Sequence, residues 1–105
     1  MAQTTQIDVK KCDNELYIIA STATSSSELL HIKSSLGKPV THTIYPPAIL
    51  PPGQYTLLLI GINWGGPQEF IVVQSFASGP AQNHILPAGV GPIGDNWHVA
   101  VPMTI

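Results

Sequence analysis

Charged residues are scarce in this sequence. Lysine and arginine number four and aspartate and glutamate six, so charged residues make up 10% of the chain against 44% hydrophobic residues. Soluble domains carry roughly 25% charged residues, so the solvated surface here must be built from polar uncharged residues, glycine and proline. With a formal net charge of −2, neither nucleic acid nor an anionic membrane is expected as a partner. Low charge also leaves little repulsion between copies, which predicts a homo-oligomer.

Cysteine is almost absent as well. The single cysteine, Cys12, excludes an internal disulfide. Its neighbours Lys10, Lys11 and Asp13 indicate a position near the surface, where we expect a structural or incidental role. The first residues lack a basic start followed by an apolar core, so a standard secretory signal is not expected. These features predict a cytoplasmic protein, or one released without a standard signal peptide.

Long apolar runs and catalytic motifs are missing too. The apolar runs are too short for a membrane span. The histidines at positions 31, 42, 84 and 98 lack the paired spacing of a zinc site, so we expect no metal. The sequence contains no G-x-S-x-G motif and no glycine-rich phosphate loop, and its acids are scattered. A small hydrolase is therefore the least favoured function, and we predict a protein that is not an enzyme and needs no cofactor.

What the sequence does contain is a central stretch from Ile49 to Phe76. Its two apolar runs, residues 55–62 and 70–76, are rich in branched and aromatic residues and bounded by Gly and Pro, which favours strands over helices. The connection between them is Gly-rich and of hairpin length, so we expect an antiparallel pair. Both faces of the first strand are apolar, which is typical of a central strand covered on both sides.

The flanking segments predict further strands. Residues 4–10 alternate weakly and indicate a first edge strand, Asp13-Asn14 is a turn signal, and residues 16–20 indicate a buried strand. After the central stretch, residues 77–95 are rich in Gly and Pro and predict a loop, with a short strand at Ile85-Leu86. The chain then closes with a strand from Trp97 to Ile105, with Trp97, Val99, Val101 and Met103 on one face.

Two interpretations compete for Glu28–Leu36. Helix start and stop signals flank the segment, which is consistent with a short helix. Alternatively, a strand over Leu29–Lys33, a turn at 34–38 and a strand over Val40–Tyr45 form a hairpin. We favour the hairpin, because the Ser-rich composition weakens a short helix.

All the favoured elements are strands, so the predicted fold class is all-β. At 105 residues the chain is expected to form one domain over residues 1–105. Short strands separated by Gly- and Pro-rich turns indicate a single antiparallel β-sandwich of about seven strands, broadly immunoglobulin-like.

A short echo, Gly-x-Asn-Trp, supplies the candidate binding residues. It occurs at residues 61–64 and again at 94–97. Because one copy ends a central strand and the other opens the last strand, antiparallel pairing would bring them to the same end of the sandwich. Tryptophan beside amides and a carboxylate is chemistry that suits a saccharide. We therefore predict a shallow groove with these ligand-binding residues: Asn63, Trp64, Asp95, Asn96 and Trp97.

The function that these features favour is a non-catalytic, lectin-like carbohydrate-binding module that works as a homo-oligomer. The alternative is a structural or self-assembly protein with no small-molecule ligand, whose neutral faces mediate association.

Overall fold

The computed structural model describes residues 2–33 and 40–105. This part of the chain contains eight strands and one 3-10 helical turn, at Pro46–Ala48. The strands are β1 (Thr4–Asp13), β2 (Glu15–Ser21), β3 (Ser26–Ile32), β4 (Val40–Ile44), β5 (Gln54–Asn63), β6 (Pro67–Phe76), β7 (Gln82–Val90) and β8 (Gly94–Thr104). The all-β prediction is confirmed. Within the described part of the chain, no helix is long and apolar enough to cross a membrane.

The strands form two four-stranded antiparallel sheets. The first sheet has the order β4-β1-β6-β7 and the second the order β3-β2-β5-β8. The extra strand relative to the predicted seven is β7, which lies in the segment expected to be a loop. β7 pairs with β6 although it contains Pro87, because β7 is an edge strand and an edge strand tolerates a residue without an N–H donor. The other late edge strand, β8, also contains a proline, Pro102.

Alternating side chains turn one face of each sheet towards a shared core. In β5, Leu57 and Leu59 are fully buried while Leu58 and Ile60 on the opposite face stay partly exposed. The predicted inward face of β8 is confirmed at its ends, where Trp97 and Met103 are buried. The buried apolar cluster draws on both sheets and comprises Ile7, Val9, Cys12, Leu16, Ile18, Ala20, Ile32, Ile44, Leu50, Leu57, Leu59, Phe70, Val72, Trp97, Met103 and Ile105.

The predicted hairpin of the central stretch is wrong, because β5 and β6 belong to different sheets. Both strands exist near the predicted bounds, but β5 pairs with β2 and β8, whereas β6 pairs with β1 and β7. The connection from β5 to β6 passes from one sheet to the other, and the side chains of two buried asparagines bind it. Asn14 accepts a hydrogen bond from the Trp64 backbone N–H at 3.1 Å, and Asn63 accepts one from the Gly65 N–H at 3.0 Å. Gly66, at φ 69°, adopts the left-handed conformation that glycine favours. The apolar faces of the two strands are thereby stacked across the core instead of lying side by side.

Two further pairing predictions are wrong for the same kind of reason. β3 pairs with β2, and β4 pairs with β1. β3 and β4 therefore also belong to different sheets and do not form a hairpin. Residues 28–32 of the ambiguous segment are extended in β3, whereas the turn predicted at 34–38 lies outside the described residues. The prediction that β1 is an edge strand is also wrong, because β1 pairs with β4 on one side and with β6 on the other.

Cys12 is buried and not near the surface as its charged neighbours had suggested. β1 extends through Asp13, and a register shift after Val9 changes its alternation, so that Cys12 faces the core while Lys11 and Asp13 point away from it. The thiol donates to the carbonyl oxygen of Asn14 at 3.1 Å. Burial, together with the negative charge of Asp13, raises the pKa of Cys12 to about 12. The thiol therefore stays protonated and inert at neutral pH.

Candidate functional site

The two Gly-x-Asn-Trp segments lie at the same end of the structure. Asn63 at the end of β5 pairs with Gly94 at the start of β8, and Gly61 pairs with Trp97. We call this end, where β5 and β6 are connected and β7 and β8 are connected, the Trp64 end. The five predicted binding residues are therefore close in space, but their side chains are used in different ways.

Trp97 packs in the core. Its ring is buried and stacks on Phe70 of the other sheet, with centroids 5.2 Å apart and planes 5° from parallel. A cross-strand glycine, Gly61, makes room for this stack. The indole of Trp97 therefore stabilises the core of the domain, and it does not form the floor of the predicted groove.

Asn63 and Asn96 fasten the connection between β7 and β8. The buried Asn63 amide donates to the carbonyl oxygens of Gly91 at 3.0 Å and Pro92 at 3.3 Å. Asn96 donates to the Pro92 carbonyl oxygen at 2.6 Å and to the side chain of Gln68 at 3.2 Å. These two amides therefore set the shape of the loop, and their donor groups are already engaged.

Asp95 lies at the surface of the same end. Its carboxylate is 2.9 Å from Nε2 of His98, and both side chains are more than half exposed. An exposed pair of this kind contributes little to stability. Its polar atoms are open to solvent and available to a ligand.

Trp64 is the aromatic residue that the Trp64 end exposes. Its side chain is 52% exposed, although it belongs to a connection whose backbone is tied down. The indole N–H donates to Oε1 of Glu15 at 2.6 Å, and the backbone N–H donates to Asn14. Asn14 also donates to the carbonyl oxygen of Pro67 at 3.0 Å, so its side chain binds the β5–β6 connection at both Trp64 and Pro67. The exposed ring is therefore held in one orientation.

Glu15 joins Trp64 to two further aromatic residues. Its second carboxylate oxygen contacts Nε2 of His31, and the His31 ring stacks on Tyr17 with centroids 4.1 Å apart and planes 9° from parallel. The hydrogen bond from Trp64, followed by that from His31, lowers the pKa of Glu15, so the carboxylate is ionised at neutral pH. We call Trp64, Glu15, His31 and Tyr17 the aromatic cluster.

Sequence reasoning missed three members of the aromatic cluster. Glu15 was counted among the scattered surface acids, and His31 among ordinary histidines. Glu15 and Tyr17 lie two residues apart on β2, so alternation alone puts them on one face. His31 reaches them only through the pairing of β2 with β3, in which it lies opposite Tyr17. The register between β2 and β3 depends on how the two strands pair, and the local sequence around His31 does not reveal it.

Next to the aromatic cluster, the outer face of the second sheet carries a group of neighbouring side chains that we call the apolar strip: Tyr17, Ile19, Leu58, Ile60 and Ala100. Tyr17 lies opposite Ile60 and Ile19 opposite Leu58, and Leu58 lies opposite Ala100 of β8. Four of these side chains are partly exposed and Ala100 is exposed. An apolar outer face is unusual for an antiparallel sheet, which commonly alternates apolar inward and polar outward residues.

A shallow depression of about 460 Å³ lies at the opposite end of the same sheet. Its lining consists of hydroxyl, amide and small apolar groups: Ser21, Thr22, Ala23, Gln54, Tyr55, Thr56, Ala100, Val101 and Pro102. The hydroxyl of Tyr55 is engaged with the carbonyl oxygen of Pro51 at 2.7 Å. The lining contains no carboxylate and no imidazole, so it offers no acid–base chemistry, and it is remote from Trp64.

The Trp64 end brings several kinds of functional group together. It offers an exposed indole face, an ionised carboxylate, an imidazole and a phenol. Among residues 2–33 and 40–105, no group of three or more His, Cys, Asp or Glu side chains is arranged to hold a metal ion. Comparisons of the chain with protein-family models, with curated proteins and with solved structures found no match, so its function has to be argued from the site itself.

Proposed function

We propose that this protein is a non-catalytic, lectin-like binding module that holds a saccharide at the Trp64 end and works as a homo-oligomer. The observation that carries the proposal is Trp64, whose indole is half exposed and fixed by its hydrogen bond to Glu15. Within this proposal the two sheets form an immunoglobulin-like sandwich that presents its binding residues at one end.

The aromatic cluster has the two kinds of group that a sugar ring needs. The open face of Trp64 offers a surface on which the apolar face of a pyranose stacks. The carboxylate of Glu15 is only 12% exposed and its two oxygens contact Trp64 and His31, so a sugar hydroxyl would use the remaining lone pairs of this carboxylate. Loss of solvation and the negative charge of Glu15 raise the pKa of Tyr17, so its phenol stays protonated, and its hydrogen bond goes to Glu15. Asp95 is a further polar group at the rim.

The fixed position of Trp64 favours binding through entropy. Its indole is held by Glu15 and its backbone by Asn14 before any ligand arrives. Little side-chain freedom is then lost on binding, which is the general benefit of a preorganised site. Because the site is shallow and open to water, we expect modest affinity for a single sugar ring.

A glycan array followed by fluorescence titration tests the proposal. We expect Trp64→Ala to abolish saccharide binding without unfolding the domain. Tyr45→Ala is the matched control, because Tyr45 is also an exposed aromatic residue but precedes the 3-10 turn at the other end. Glu15→Gln should weaken binding by removing the ionised acceptor, and Asp95→Ala should abolish the fluorescence shift if Asp95 completes the rim.

Two outcomes would count against saccharide binding. One is an array with no glycan bound by the wild-type protein at millimolar ligand. The other is binding that survives Trp64→Ala and is lost in Tyr45→Ala, which would move the site to the opposite end.

The apolar strip supports a second candidate function, that of a self-assembling structural protein. The four strands of this face have 7, 7, 10 and 11 residues, which at about 3.3 Å per residue and about 4.8 Å between strands covers roughly 550 Å². A stable protein interface buries about 800 Å² per partner, so stacking of two such faces approaches the required area. Apart from Tyr17, which belongs to the strip, the ionisable groups on this outer face border it: Glu15, Glu28, His31, Asp95 and His98.

Sedimentation equilibrium distinguishes the two candidates. We expect Leu58→Glu, on the apolar strip, to convert an oligomer into a monomer. Val73→Glu is the matched control, because Val73 is a partly exposed residue on the first sheet. A large assembly with no glycan bound favours the structural function, whereas saccharide binding that persists in monomeric Leu58→Glu favours the module.

A further inference from the structure

Residues 85–94 form a stretch without a single polar side chain, reading ILPAGVGPIG. Within it, Val90 is 82% exposed and Ile93 is 70% exposed, although both are large aliphatic residues. They flank the connection between β7 and β8 at the Trp64 end, and we call residues 90–93 the tip loop. Single exposed aliphatic residues are ordinary, but a continuous apolar stretch at a protruding loop indicates an interaction surface.

Two backbone groups of the tip loop are already hydrogen-bonded to side chains of the folded domain. The carbonyl oxygens of Gly91 and Pro92 already accept hydrogen bonds from the Asn63 and Asn96 side chains. Pro92 has no N–H group to satisfy. Unsatisfied backbone groups are the main cost of moving an irregular segment towards a lipid phase. For the Gly91 and Pro92 carbonyl groups, that cost is lowered here by two amides that belong to the folded domain.

The size and charge of the tip loop favour one kind of partner. Two protruding side chains are far from the about 800 Å² per partner that a stable protein interface buries. The first ionisable residues after the loop are Asp95 and His98, which pair with each other, and neither is a lysine or arginine. The neighbouring connection adds Trp64, and indole rings are enriched at membrane–water interfaces. A surface with this chemistry suits an uncharged lipid headgroup layer and not an anionic one.

We propose that the tip loop is a lipid-contacting surface, at which Val90 and Ile93 enter the interfacial region of a zwitterionic bilayer. Binding is driven by burial of apolar surface, so it is insensitive to salt. With two aliphatic anchors it is reversible and of the marginal strength that a single short anchor gives. The proposal uses residues other than the aromatic cluster, apart from Trp64 beside it, and does not require a saccharide.

Co-sedimentation with phosphatidylcholine vesicles at millimolar lipid tests this surface on the full chain. We expect the wild-type protein to bind and Val90→Ser and Ile93→Ser each to lower the partition coefficient roughly tenfold, as loss of one buried aliphatic side chain implies. Ile49→Ser is the matched control: Ile49 is 55% exposed but follows the 3-10 turn at the opposite end. It should bind as wild type does.

Four results would overturn the proposal. They are no vesicle binding by the wild-type protein, equal binding by all three serine variants, loss of binding on raising the salt concentration, and binding that requires phosphatidylserine. Sedimentation velocity without lipid provides a separate test. If the wild-type protein associates and both Val90→Ser and Ile93→Ser are monomeric, a second copy of the chain covers the tip loop and the lipid proposal fails.

Discussion

Replacement of Gly61 by alanine is a stringent test of the packing between the two sheets. A Cβ atom at this position would lie 2.7 Å from Cε2 and 2.9 Å from Cζ of Phe70. Carbon atoms in contact are separated by about 3.5–4.0 Å, so the new methyl group overlaps the ring. Phe70 is fully buried and its ring stacks on that of Trp97, which leaves the phenyl group little space to retreat. Forcing extra atoms into a packed core costs typically about 1–3 kcal/mol.

We therefore expect Gly61→Ala to lower the free energy of unfolding by about 2 kcal/mol. Urea unfolding followed by tryptophan fluorescence measures it as a lower midpoint with an unchanged slope. Gly89→Ala is the matched control, because no atom lies within 4 Å of a Cβ built there. Adding Phe70→Leu to Gly61→Ala should cost less than the sum of the two single changes, since the smaller side chain relieves the overlap. A midpoint that Gly61→Ala leaves unchanged would refute the argument.

Three further predictions follow from burial and hydrogen bonding. Leu59→Ala should cost roughly 2–5 kcal/mol because it opens a cavity in the core, and an unchanged denaturation midpoint would contradict this. The pKa of Glu15 is lowered by Trp64 and His31, so its contribution to stability is present above the ordinary glutamate pKa and is lost as the pH falls through the lowered value. Glu15→Gln should therefore flatten the acid side of the stability curve, and an unaltered pH profile would refute the assignment. Cys12 should react with a thiol reagent only after urea unfolding, because burial raises its pKa to about 12, and rapid labelling of the native protein would show otherwise.

The strands could be predicted from the sequence because their signal is local. Leu57 and Leu59 alternate with Leu58 and Ile60, and this alternation fixes which side of β5 faces the core wherever the strand pairs. Partner choice is not local. The connection after β5 has the length and glycine content of a hairpin, yet the side chain of Asn14, distant in sequence, directs it across the core.

The candidate site was predictable to the same limited extent. Trp64 stands out as an aromatic residue among glycines, and its exposure follows from that position. Its neighbours at the surface are Glu15 and His31, which the sequence separates from it by 49 and 33 positions and which only strand register brings together. Trp97 has nearly the same local context as Trp64, but Trp97 is the first inward residue of β8, whereas Trp64 follows the end of β5.

The prolines of the two edge strands bear on how the protein behaves when concentrated. Fibres grow when the row of N–H and C=O groups along an open edge templates another strand. Pro87 in β7 and Pro102 in β8 each interrupt such a row at one edge of each sheet. A chain with few charges has little repulsion to keep it dispersed, so this interruption protects it from open-ended cross-β growth. With the strand edges interrupted, the sheet faces are the surfaces through which the oligomer proposed above would form, and its copies would display their Trp64 ends in equivalent positions.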